Sequence, residues 1–257
     1  MRDELGAEVP LTGPPRRVVS LVPSITEAVA VTAPGRLVGA TGYCAHPADL
    51  DVSRVGGSKY PVVESVLALA PDLVLANAEE NRPDDVARLR ERGVPVFVTA
   101  APESVPAGLE SLRRVLVDCL GLGVPDWWWK AASRWEGTLV RRWTAVIPVW
   151  RRPWVVLGGR TFATDVLRRL GVANAYADLA DRYPRPKLPE LVARFDSGAA
   201  DLLVLPDEPY RFTGTDGPEA FPGVPSALVS GRHLTWYGPS LVEAPDVLLD
   251  QLAAASR

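Results

Sequence analysis

The chain is short of the residues that most often carry chemistry. Of its 257 residues, two are cysteine and two are histidine. Cys44 falls in a loop pattern and Cys119 in the apolar pattern of "LRRVLVDCLG", so neither a disulfide framework nor a cysteine metal site is expected. His46 and His233 lack H-x-x-x-H or carboxylate spacing, which argues against a metal site built by the protein. Either could still be an axial ligand to a metal that a ligand brings with it. The two glycines of "VLGGRTF" have neither dinucleotide nor phosphate-loop spacing. Ser24 stands at a strand-to-helix turn without the flanking glycines of a nucleophile elbow. It is expected to cap a helix, with Glu27 as its capping-box partner. No nucleophile–base pair can be assembled, and binding without catalysis is the leading expectation. Charge of one sign is also lacking. The 28 basic and 31 acidic residues are scattered, leaving no footprint for nucleic acid or an anionic membrane. No apolar run is long enough to span a bilayer. The opening "MRDELGAEVPLTGPPR" has no apolar leader core. Taken from Met1 the chain reads as cytoplasmic; with a leader ahead of Met1 it would be extracytoplasmic.

What the sequence does have is an internal repeat. "APDLVLANAEE" has a partner in "AADLLVLPDEP", and each follows a helical pattern with a glutamate, Glu64 or Glu190. "GVPVFVTAAP" and "GVPSALVSGR" begin 21 and 22 residues after the strand-opening aspartates Asp72 and Asp201. Each half opens on a β-branched run, "RVVSLVPS" or "PWVVLGG", followed by a helical pattern. Short apolar runs separated by helix-length segments imply parallel strands buried on both faces. The expected architecture is therefore α/β, with two Rossmann-like lobes. Its boundaries read as an N-terminal tail over 1–15, one lobe over 16–124, a bridging helix over 125–148, and a second lobe over 149–257. For that helix, Pro125 and Asp126 are start signals and Pro148 a stop. Trp128, Ala132, Trp135, Leu139, Trp143 and Val146 recur at helical spacing on one face.

In open α/β sheets ligands bind outside the carboxyl ends of the strands. The loops expected there hold Tyr43, His46, Lys59, Tyr60, Glu79, Glu80, Asn81 and Arg82 in the first half. In the second they hold Trp154, Tyr183, Glu208, Tyr210, Trp236 and Tyr237. Aromatic faces with a few charges suit a large, flat, partly apolar ligand in a cleft between the lobes. The segment "NAEENR" has two readings: it faces the ligand, or it serves the N-terminus of the helix begun by "RPDDVARL".

"RVVSLVPSITE", then "ESVLALAPDLVLA", then "PELVARF" and "ADLLVL" resemble the helical-backbone metal-receptor group. These are periplasmic binding protein-like substrate-binding proteins of ABC importers for vitamin B12 and iron–siderophore chelates. The resemblance runs from about Arg16 to Leu252 and is nearest to the B12 (cobalamin) branch. It implies two lobes bridged by a rigid helix and a ligand cleft between them. It also implies a monomer with no cofactor of its own, whose cargo is a corrinoid such as cobalamin or another metal chelate. Glu64 and Glu190 fall where that group docks onto an ABC permease. The matching cleft aromatics are Tyr43 or His46, Trp154, Tyr183, Trp236 and Tyr237. Two departures, "SKY" in place of a cleft tryptophan and the ionic "NAEENR", leave room for haem-like or other chelates. The alternatives are a cytoplasmic corrinoid or tetrapyrrole trafficking module, and an enzyme that modifies a tetrapyrrole with His46 or His233 as its base.

Overall fold

The computed structural model describes residues 1–255. The chain forms two compact units: the first comprises 1–101, 109–129 and 237–239, the second 102–108, 130–236 and 240 onward. Both are α/β, as expected from the repeat.

The first unit is built on a five-stranded parallel sheet. Its strands are β1 (Val18–Ser20), β2 (Leu37–Ala40), β3 (Ser53–Arg54), β4 (Leu73–Asn77) and β5 (Val96–Thr99), in the order β3-β2-β1-β4-β5. β4 reads LVLAN and is buried throughout, as a central parallel strand covered on both faces must be. Val19, Val74, Ala76, Val96 and Val98 form a core with Val66, Val86 and Leu89 from the flanking helices. The helix after β4, Pro83–Glu91, starts on a proline, carries Asp84 and Asp85 in its first turn, and has Arg88 and Arg90 in its last. That is the arrangement the helix dipole favours. Gly93 at φ 78° terminates it.

The second unit holds a parallel sheet in the order β11-β10-β6-β9, from β6 (Trp143–Val146), β9 (Val172–Asn174), β10 (Leu202–Pro206) and β11 (Ser226–Val229). An antiparallel pair, β7 (Pro148–Trp150) with β8 (Val155–Val156), follows the carboxyl end of β6. Its core gathers Val146, Val156, Leu203 and Leu205 with an aromatic group, Trp154, Tyr176, Phe212 and Phe221.

Three expectations are corrected. The helix expected over 125–148 stops early. It runs only over Asp126–Arg134, and Trp143 already lies in β6. Gly137 adopts φ 87°, a left-handed conformation that ends a helix. Beyond it, Ala145 and Val146 pair with Leu202 and Leu203 of β10. Parallel pairing outweighs the helical spacing of the tryptophans, because Trp143 to Val146 complete a buried sheet. The longer helical segment is Val105–Arg113 continued by a π-turn over Arg114–Cys119. The division between the units falls inside it, between Gly108 and Leu109.

Residues 1–15 are not a loose tail. Asp3 is ion-paired with Arg90 at 2.6 Å, Glu4 Oε2 accepts from the Ala100 amide at 2.8 Å, and Val9 is fully buried. Nor does Ser24 cap a helix. The helix Pro23–Thr32 has Val22 at its N-cap and no side-chain cap, and Ser24 and Glu27 are buried within it. Pro23 takes the first helical position, so Ser24 lies inside the first turn and not ahead of it, where a cap must stand. Among the described residues no helix is long and apolar enough to cross a membrane.

Candidate functional site

In the first unit the loops that leave β2, β3 and β4 carry the expected groups. The loop after β4 is shaped by two asparagines, and Asn77 is one that sequence reasoning missed. Asn77 Oδ1 accepts from the amides of Glu79 (2.8 Å) and Glu80 (3.2 Å). Its Nδ2 donates to Thr99 Oγ1, to the Ala100 carbonyl and to the Tyr237 phenol. Asn81 is buried. Its Oδ1 accepts from the Asn77 amide at 2.8 Å, and its Nδ2 donates to the carbonyls of Ser58 (2.9 Å) and Leu21 (3.3 Å). An Asx turn of this kind holds a loop by side chain-to-backbone bonds. Asn81 is thus a latch rather than a group displayed to solvent. The signal was present in the sequence as N-A-E-E-N after an apolar run, but an Asx partner has no fixed spacing.

Around this latch lie exposed aromatic and cationic groups. Tyr43 and Tyr60 are 70% and 73% exposed. The Arg82 guanidinium lies 5.4 Å from the centre of the Tyr60 ring and 3.5 Å from Asp84. Lys59 Nζ donates to the Glu79 carbonyl. Glu79, Glu80 and His46 are half-buried. Burial pushes up the pKa of the Cys44 thiol, which hydrogen bonds from Thr26 and Thr41 oppose, while the Glu80 charge adds to the rise. Tyr237 is buried in this unit, and burial followed by the Glu80 charge raises its phenol. It is therefore part of the support under the loop and not an exposed aromatic wall.

In the second unit the two tryptophans of "WRRPW" lie in opposite settings. Trp154 is buried, stacked on Phe212 (ring centres 6.2 Å apart) and edge-on to Phe221 (5.5 Å). Trp150, four residues earlier, is 45% exposed. It meets Tyr210 edge-to-face at 5.7 Å. The Tyr210 hydroxyl donates to Asp216 Oδ2 at 2.6 Å, and Arg151 forms ion pairs with Asp216 and Glu219 while lying over Trp154. That hydrogen bond raises the Tyr210 phenol and lowers Asp216. Between the two tryptophans Arg152 holds φ 66°, a conformation that a non-glycine residue keeps only where its surroundings impose it.

Trp236 is buried, and its indole hydrogen-bonds the Glu208 carboxyl. Burial nevertheless raises Glu208, and its Oε1 is buried without a hydrogen-bond partner among the described residues. Gly231 is required beside it, since a Cβ there would sit 2.2 Å from Glu208 Cγ. Tyr183 is half-buried, with its amide bound to Asp181. His233 is corrected as a candidate axial ligand: Nδ1 lies 2.8 Å from Ser230 Oγ and Nε2 3.0 Å from Glu243 Oε1, so both nitrogens are engaged. No cluster of His, Cys, Asp or Glu fit to hold a metal ion occurs among the described residues. Of the two acids expected to dock a partner, Glu64 is exposed and 3.4 Å from Arg92. Glu190 is exposed in the first turn of the helix Leu188–Asp196, at the rim of a pocket of about 480 Å³ floored by Tyr176 and Pro184.

Two α/β units, each built on a parallel sheet and carrying aromatic and ionic loops at its strand ends, give this chain the fold shared by the solved structures compared below. No family model matches it. In sequence it is similar to the vitamin B12-binding protein of Vibrio parahaemolyticus, 24% identical over 194 residues, covering 70% of this chain and 68% of that one. Among solved structures it is similar to the periplasmic vitamin B12 binding protein BtuF of Vibrio cholerae (TM-score 0.70, 17% identity, 93% of this chain and 97% of that one). It is also similar to a periplasmic heme binding protein from Pseudomonas aeruginosa (TM-score 0.73, 22% identity, 94% of each chain). The CeuE protein of Helicobacter pylori, solved with Ni(II) bound, gives a TM-score of 0.74 at 16% identity over 97% of this chain and 86% of that one. At these identities the structural likeness is one of fold.

Proposed function

We propose that this protein binds a metal chelate, a corrinoid such as cobalamin or a haem-like tetrapyrrole, as the substrate-binding component of an ABC importer, and performs no chemistry on it. The observation that carries the reading is the first unit's loop end. There Tyr43 and Tyr60 are exposed beside Lys59 and Arg82 at the carboxyl ends of parallel strands. Large exposed rings are costly to leave wet and mark a binding surface. The neighbouring cations suit phosphate or carboxylate groups on the ligand's edge. A Tyr60 phenol is in addition a hard oxygen donor of the kind that ligates ferric haem iron. The names of the relatives above, all binders of B12, haem or metal, support the same class. The periplasmic setting of two of them supports an extracytoplasmic role, with Glu64 and Glu190 as the acids offered to a permease.

The test is an absorbance titration of the purified protein with cyanocobalamin, hemin and a ferric siderophore. One of the three is expected to bind at micromolar concentration or below. Tyr60→Ala combined with Arg82→Gln should weaken that binding by about tenfold or more without moving the melting temperature. Failure of all three chelates to bind would refute the reading.

A further inference from the structure

We propose that Trp150 is the ligand-stacking face of the second unit, set in place by Tyr210, Asp216 and Arg151 to receive a flat conjugated ring with an anionic edge. The inference rests on the chelate reading above and adds to it a residue, a positioning network and an edge chemistry. Trp150 ends β7, the strand that continues from the carboxyl end of β6, and Tyr210 follows the carboxyl end of β10. Both sit where a parallel sheet presents its ligand loops. An indole left 45% exposed is an unfilled contact surface unless something covers it.

What distinguishes Trp150 from a stray surface tryptophan is that its support is continuous from the core outward. Trp154, packed between Phe212 and Phe221, lies under the Arg151 guanidinium at 5.2 Å. Arg151 binds Asp216 and Glu219; Asp216 accepts the Tyr210 hydroxyl; the Tyr210 ring meets Trp150 edge-on and rests 4.7 Å from Phe212. Every link is an ion pair, a hydrogen bond or a ring contact. The exposed indole is therefore ordered before a ligand arrives, and binding need not supply that ordering. Rings in this arrangement favour a further flat π surface on the open face.

The charges give the edge chemistry. Arg151 is neutralised inside the network, whereas Arg152 and Arg211, each next in sequence to a member of it, are exposed. Neither lies within hydrogen-bond or ion-pair distance of a partner among the described residues, and Arg152 acts on Asp216 and Tyr210 only through its charge. Two exposed guanidinium groups beside a stacking face suit carboxylates on the rim of a planar ring. A ligand with only amide groups on its rim gains little from them.

Absorbance titrations with hemin and with cyanocobalamin test this on the full chain. With whichever probe the parent binds, Trp150→Ala should raise Kd about tenfold or more, and Trp150→Phe should recover it to within about threefold. Both variants should melt with the parent, because the side chain is not part of the core. Tyr210→Phe, which keeps the ring and removes the bond to Asp216, should weaken binding several-fold with little change in melting. Arg152→Gln with Arg211→Gln should weaken hemin more than cyanocobalamin. If the parent binds a chelate and Trp150→Ala stays within about twofold of it, this inference is overturned while the chelate reading stands. Equal loss for both probes in the double arginine variant overturns the anionic-edge part. A parent that binds neither probe overturns this inference, and the chelate reading falls with it only if the ferric siderophore fails to bind as well.

Discussion

Replacing Asn81 by alanine tests whether the "NAEENR" loop is held by its asparagines or by the helix that follows. The side chain is 4% exposed and makes three hydrogen bonds to main chain. Alanine orphans the buried Asn77 amide, a desolvation cost of about 1–3 kcal/mol. It also withdraws the donor from the Ser58 and Leu21 carbonyls, at about 1 kcal/mol for the good bond and less for the long one. The sum is about 3 kcal/mol. For a chain of this size that corresponds to a fall in Tm of about 6–12 °C. Because the same loop presents Glu79, Glu80 and Arg82, chelate binding should weaken along with stability. Asn81→Asp keeps the acceptor for Asn77 but loses both donated bonds and buries a charge, and should be at least as damaging. Thermal melts followed by far-UV circular dichroism, with urea titrations alongside, give both numbers. A melt for Asn81→Ala within about a degree of the parent would refute the latch and return the loop to a simple capping turn, for which about 0.3–1 kcal/mol is expected.

Two further outcomes are expected. Asp165 Oδ2 accepts from the Val105 amide at 2.9 Å and from Arg169, and Oδ1 from Arg168. Burial raises the Asp165 carboxyl, but these bonds outweigh it and leave the pKa below its ordinary value of 3.8. A lowered folded-state pKa means stability that is complete above that ordinary value and is lost as pH falls through the folded one. Asp165→Asn should therefore cost about 2 kcal/mol at pH 7, with the gap to the parent closing below about pH 4 in urea titrations repeated across pH. Both thiols are buried; burial raises Cys44 and pushes Cys119 up to about 12. Neither should react promptly with an aromatic disulfide reagent at pH 8, and two should titrate in denaturant. Rapid reaction of either in the native protein would count against the packing described around it.

Much of the fold was legible in the chain, since the signals that specify it are local. The run LVLAN before a turn, Pro83 with Asp84 and Asp85 behind it, and the echo of "PDLVLANAEE" in "ADLLVLPDEP" each state a strand, a helix start or a repeat within a dozen residues. Alternation of such signals implies parallel α/β units, and the loops they leave at the strand ends could be named before their geometry was known.

What the sequence could not decide were the choices settled by partners far away along the chain. Tryptophans at helical spacing from 128 to 143 fit a long helix. Gly137 and the pairing of Ala145 and Val146 with β10 end it, and the partners Leu202 and Leu203 lie 57 residues on. Trp150 and Trp154 look alike in "WRRPW"; Trp154 is buried with Phe212 and Phe221 packed against it, and Trp150, edge-on to Tyr210, is left 45% exposed. His233 is quenched as a ligand by Ser230 and Glu243, and Asn81 is turned inward by carbonyls from Leu21 and Ser58. A local pattern fixes which backbone states are cheap. Whether a given ring or amide ends inside or outside depends on contacts of long sequence separation, and those exist only once the units have folded.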